Sequence, residues 1–111
     1  MSILKVDEKE YAIDKEGYLK NIFEWNHSIA IAIAEKENIT LSEAHWEIIL
    51  LIRNFYSSYQ IIPVMRILIK KIYLELGETK GSSPYLMGLF SSQPIKILAK
   101  IAGLPKPSHC F

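Results

Sequence analysis

The sequence has one cysteine, Cys110, so it cannot form an internal disulfide. A zinc site would have to lean on the scattered His27, His45 and His109, and only the adjacent His109-Cys110 lie close together; no metal is expected. Long apolar runs are missing too. Ile29–Ala34 and Ile48–Ile52 are the longest, far short of the ~18 residues of a membrane span. The opening MSILKVDEKEY turns acidic at once and lacks a signal-peptide core, which predicts a cytoplasmic chain with no membrane association. With five Gly and five Pro it is neither collagen-like nor a linker, and it contains no repeat, low-complexity stretch or Gly-rich phosphate loop. After Glu78 there is no acidic side chain at all.

What is present is an ordinary globular composition. Half of the 111 residues are apolar and 23% are charged, enough for one domain with its own core and no need of a staple. The net charge of +1 hides a split. Residues 1–50 carry ten acids against five lysines, whereas residues 51–111 carry eight Lys and Arg against Glu75 and Glu78. Such a run is most often a solvated face; it is also a surface suited to an acidic partner or nucleic acid.

Short β-prone runs at Ile3–Val6 and Tyr11–Ile13 predict a hairpin over about 3–13, with Asp7-Glu8-Lys9-Glu10 as a four-residue turn. Asp14 to Gly17 reads as a second turn. Alternation in Ile29–Ala34 would suit a strand, but Trp25, Ile29, Ala32 and Ile33 also form a helical stripe, and the alanines favour helix. Thr40-Leu41-Ser42-Glu43 has the form of a capping box and predicts a long helix from Leu41 to about Tyr59, buried on more than one side. Further helices are expected from Val64 to Leu76 behind Pro63, from Ser83-Pro84 to about Leu89, and from Pro94 to the stop at Gly103. Pro105 and Pro107 exclude helix beyond that point. The expected class is α+β, mainly α: a compact helical bundle over 1–103 with an N-terminal β-hairpin, and a flexible extended C-terminal arm over 104–111.

The chemistry converges on that arm. A structural cysteine sits inside an element, where its small apolar body fills space. Cys110 sits instead beyond two prolines, with Gly103 as candidate hinge. An incidental thiol at a chain end is the plain alternative. The reactive species is the thiolate, and a free cysteine titrates at about 8.5. His109 and Lys106 would favour the anion and a carboxylate on Phe111 would oppose it. A cysteine–histidine hydrolase needs a base held rigidly beside its nucleophile, which adjacent residues do not provide. Arg53, Tyr56 and Tyr59 share one helix and could stack on a base, though such spacing more often marks core and rim.

The stretch from Ala99 to Phe111, AKIAGLPKPSHCF, resembles the terminal signature of the TusE/DsrC family of sulfur-carrier proteins. Asp14–Leu19 resembles the family's acidic-Gly-Tyr-Leu turn. Ile39–Ser42, His45-Trp46, Arg53 and Tyr56 resemble its central helix, and Leu89-Phe90 and Pro94 the approach to its last helix. The DsrC branch carries a second cysteine eleven residues before the first; here that position is Ala99, so the pattern resembles the single-cysteine TusE branch. His109 departs from the small residue common in relatives. The resemblance implies a sulfurtransferase whose Cys110 takes sulfur as a persulfide from the TusBCD complex. It then passes that sulfur to the 2-thiouridylase MnmA, with bound tRNA, for wobble 2-thiouridine. No cofactor is implied. Lys100, Lys106, His109 and Arg53 are candidates for docking or for steadying the persulfide. Two rivals remain: a DsrC-like partner of a sulfite-reductase-type enzyme, which Ala99 disfavours, and a small helical nucleic-acid-binding regulator. The latter is disfavoured because the basic residues do not gather on one recognition helix.

Overall fold

In the computed structural model, which describes residues 2–107, an N-terminal hairpin leads into five helices. Strands β1 (Ser2–Val6) and β2 (Lys9–Ile13) pair antiparallel in a register that sets Val6 opposite Lys9. The turn is therefore the two residues Asp7-Glu8, not the four expected. Both hold positive φ, 49° and 69°, because the twist of paired strands favours such a turn even without Asn-Gly. The second turn is as read: Gly17 has φ 96°, and one Asp14 carboxylate oxygen accepts from the amides of Glu16 (2.9 Å) and Tyr18 (3.0 Å).

A 3₁₀ turn at Ile22–Glu24 precedes α1 (His27–Lys36), whose cap is the Asn26 side chain accepting from the Ile29 amide at 2.9 Å. Helix wins over strand here because Ile29, Ala30, Ile33 and Ala34 then share one buried face. Helix α2 (Glu43–Tyr59) starts two residues later than expected. Its cap is Ser42 rather than Thr40, and its reciprocal partner is His45, whose Nδ1 accepts from the Ser42 amide at 3.0 Å. That bond leaves Nε2 to donate to the Leu89 carbonyl at 2.9 Å, so the buried imidazole ties α2 to a segment 44 residues further along the chain. Burial on α2 is less complete than its sequence suggests, for Leu50 is 51% exposed.

Helices α3 (Met65–Leu76), α4 (Ser83–Phe90) and α5 (Pro94–Ile101) follow. Ser82, not Ser83, caps α4, with Pro84 in its first turn. The amphipathic α5 is central, packed on α1, α2 and α4, with Leu98, Ala99 and Ile101 fully buried. No helix among the described residues is long and apolar enough to cross a membrane.

Candidate functional site at the root of the C-terminal arm

Two backbone bonds close α5: the Leu104 amide donates to Ala99 O (2.9 Å) and the Gly103 amide to Lys100 O (3.2 Å). This is a Schellman closure. It requires a residue with positive φ at 103, and Gly103 takes φ 71°. The apolar residue that follows, Leu104, is 2% exposed, as the motif's hydrophobic contact demands.

Two side chains from distant elements then satisfy the carbonyls left at the helix end. Trp25 donates from Nε1 to Ile101 O at 2.9 Å, and Arg53 from Nη1 to Ala102 O at 2.6 Å. The guanidinium also lies 4.0 Å from the centre of the Trp25 ring. A cation at the negative end of α5 adds a favourable dipole term, and the stacked ring a cation–π term. Partial burial pulls the Arg53 guanidinium below its ordinary value, which leaves it charged. Trp25 presses on Gly103 so closely that a Cβ there would stand 2.7 Å from its Cγ.

The second turn holds the other side of this root. Lys100 is buried, its ammonium 3.1 Å from Glu37 and 5.4 Å from the centre of the Tyr18 ring. Its stem runs past Gly17, where a Cβ would lie 3.5 Å from Cδ. Lys106 meets Glu16 at 2.7 Å, and that hydrogen bond holds the Glu16 carboxyl below its usual range. The Tyr18 hydroxyl donates to Lys96 O at 3.3 Å.

Of the residues singled out in the sequence, Arg53, Lys100, Gly103 and Lys106 thus gather at one place, where the arm leaves the body. Gly103 is packed within it, and since Leu104 and Pro107 are buried, residues 104–107 lie along the body. Cys110 and His109 lie outside the described residues. Tyr59 is 61% exposed and packs on Phe55, away from Arg53's contacts. Among the described residues no three His, Cys, Asp or Glu come together as metal ligands.

Sequence reasoning missed Trp25, Glu16 and Glu37 as partners of the arm root, since nothing local marks contacts across 60 to 90 residues. It also missed Arg66 and weighed Lys96 only as part of the basic run. Arg66 follows Pro63, which precedes the cap of α3, and Lys96 follows Pro94, the first residue of α5, and that repeated pattern was a usable signal.

Residues 5–111 match the family described as DsrC like protein. A protein named Sulfurtransferase TusE from Photorhabdus laumondii is 46% identical over 111 residues, all of both chains. The protein of that name from Escherichia coli is 46% identical over 103 residues, 93% of this chain and 94% of its own. Among solved structures, Allochromatium vinosum DsrC superposes with a TM-score of 0.89 at 43% identity, covering 98% of this chain and 97% of that one. The oxidized gamma-subunit of dissimilatory sulfite reductase (DsrC) from Archaeoglobus fulgidus gives 0.87 at 33%, covering 99% and 100%.

Proposed function

The chain belongs to the DsrC-like protein family, and from that premise we propose that it acts as a sulfur-carrying sulfurtransferase with Cys110 as the residue that bears the sulfur. The Cys110 thiolate attacks the outer sulfur of a donor persulfide, R–S–SH. The donor's S–S bond breaks as the new one forms, so Cys110 becomes the persulfide and the donor leaves as a thiolate. Nothing is oxidised or reduced overall, and no cofactor enters. Handing on is the same exchange, with the acceptor thiolate attacking the outer sulfur of Cys110. The donor is the TusBCD complex and the acceptor the 2-thiouridylase MnmA, so the sulfur ends in wobble 2-thiouridine of tRNA.

The observation that carries this reading is the lone cysteine, with alanine rather than a second cysteine eleven residues before it, at Ala99. A second cysteine at position 99 would let the chain discharge a persulfide into an internal disulfide; alanine, fully buried on α5, offers no such route. The TusE-named relatives match along nearly the whole chain. Likeness to the DsrC structures does not supply the missing thiol.

The test is incubation with loaded donor followed by intact-mass measurement. The wild type should gain one sulfur atom and Cys110→Ser none. A Cys110→Ser chain that still restores 2-thiouridine in cells lacking the protein would overturn the proposal.

A further inference from the structure

Beyond the arm root, a groove of about 570 Å³ runs between the starts of α3 and α5 and the middle of α4. Ile62, Val64, Met65, Met87 and Ile95 line it, together with Pro107 from the root of the arm. The described residues leave this surface uncovered: Val64 is 43% and Met87 46% exposed, and the neighbouring Ile61 60%. Among the described residues two cations, Arg66 and Lys96, line it and no carboxylate does. Among the described residues neither forms an ion pair. The acid that feels Lys96 at longer range, Glu16, is engaged by Lys106.

We propose that this groove docks a peptide segment of the partner protein with which Cys110 exchanges sulfur, a segment with apolar side chains for the floor and carboxylates for Arg66 and Lys96. The proposal rests on the sulfur-carrier reading and adds to it the surface that recognises the partner. Three features argue for it. The first is charge complementarity: an apolar floor with an unbalanced positive rim selects an anionic, amphipathic ligand. The second is position. At ~3.3–3.6 Å per residue, the chain lets Cys110 reach at most about 11 Å from Pro107, so a ligand at the Pro107 side of the groove comes within reach of the thiol. The third is the wall chemistry. Two methionines give an adaptable surface, as a carrier with more than one client needs. Nucleic acid fits poorly, because none of the described residues lining the groove is an aromatic that could stack a base, and two cations make only a short phosphate track.

The experiment compares the full chain with Arg66→Glu/Lys96→Glu and with Met87→Trp, which fills the groove from an exposed position. Three quantities are read: the Kd of the Cys110→Ser form of each for the donor complex, kcat/KM for sulfur transfer from that complex, and the rate at which Cys110 reacts with an aromatic disulfide reagent. Both variants should bind and accept sulfur at least about tenfold more poorly at low salt. The deficit of the charge variant should shrink as ionic strength rises. The small-molecule rate should stay within about twofold of wild type, since a partner-docking surface leaves intrinsic thiol reactivity alone. Unchanged binding and transfer overturn the proposal. So does a parallel change in the small-molecule rate, which would mean that the groove holds the chain's own last residues. A wild-type chain that neither binds the donor nor takes its sulfur overturns the carrier function itself, a result distinct from either.

Discussion

Replacing Gly103 by alanine separates a clamped arm root from a freely hinged one. Alanine at φ 71° costs about 1–2 kcal/mol in backbone conformation alone. The new Cβ would also stand 2.7 Å from Trp25 Cγ and 2.9 Å from its Cβ, so the indole must move. Moving it strains the Nε1 bond to Ile101 and the stack beneath Arg53, each worth about 1 kcal/mol. The expected loss is about 3–4 kcal/mol, or roughly 12–16 °C in Tm for a domain of this size. Urea unfolding followed by circular dichroism measures it. Gly88→Ala is the matched control: Gly88 lies inside α4 with nothing within 4 Å of where a Cβ would stand, so alanine there should stabilise by about 0.5–1 kcal/mol. In a Trp25→Ala background the Gly103→Ala penalty should fall to the backbone part, about 1–2 kcal/mol. A Gly103→Ala chain less than about 1 kcal/mol weaker than wild type would refute the clamp, and so would a penalty indifferent to Trp25.

Other consequences of the same contacts are open to measurement. Glu37→Leu strands the buried Lys100 ammonium and should cost about 2–3 kcal/mol in urea unfolding, with much of it recovered in Glu37→Leu/Lys100→Met. Equal stability of the single and double variants would contradict that coupling. Glu16 gives a pH signature. Its folded carboxyl binds a proton less tightly than the unfolded one, so its contribution is complete above the ordinary glutamate range and fades as pH falls through the lowered folded value. The stability gap between wild type and Glu16→Gln should therefore close in acid, and the NMR-detected Glu16 titration should move up toward normal in Lys106→Ala. Glu8→Gly should stabilise by about 1 kcal/mol, because glycine relieves a glutamate held at φ 69° in the hairpin turn. A lower Tm would count against that account.

The helices were legible where their signals are local. Pro94 and Gly103 bracket α5 because one supplies a preset φ at the start and the other a left-handed stop, and neither depends on what packs alongside. The errors arose where two local signals competed. Thr40 and Ser42 both suit a cap, and Ser42 won because His45 could return its bond while also reaching Leu89 across the fold. Asp7-Glu8 lacks the usual turn chemistry, so the register of β1 and β2 decided the turn length instead. The candidate site divided in the same way. Arg53, Lys100, Gly103 and Lys106 could be picked out singly. Their assembly through Trp25, Glu37 and Glu16 depends on separations of 49 to 90 residues that no local pattern encodes.

The ties along the arm differ in strength, and that gradient bears on how a thiol carried there reaches a partner. Gly103 is locked by the closure of α5 and by Trp25, and Leu104 is anchored by burial worth about 2 kcal/mol. Beyond it the described contacts are lighter. Pro105 and Lys106 are exposed, and the Lys106–Glu16 pair is solvated and screened by salt. Of the described arm residues, Pro105 and Lys106 are thus the most lightly held, and a pivot placed past Leu104 would leave the closure at Gly103 intact. Cys110 is five residues on from Pro105, a reach of at most about 18 Å. A pivot at Gly103 would add two residues to that reach, but only by lifting Leu104 out of the core. Anchoring Leu104 thus shortens the tether that ends at Cys110 and, under the carrier and groove proposals above, limits the volume its thiol must search for a donor's sulfur.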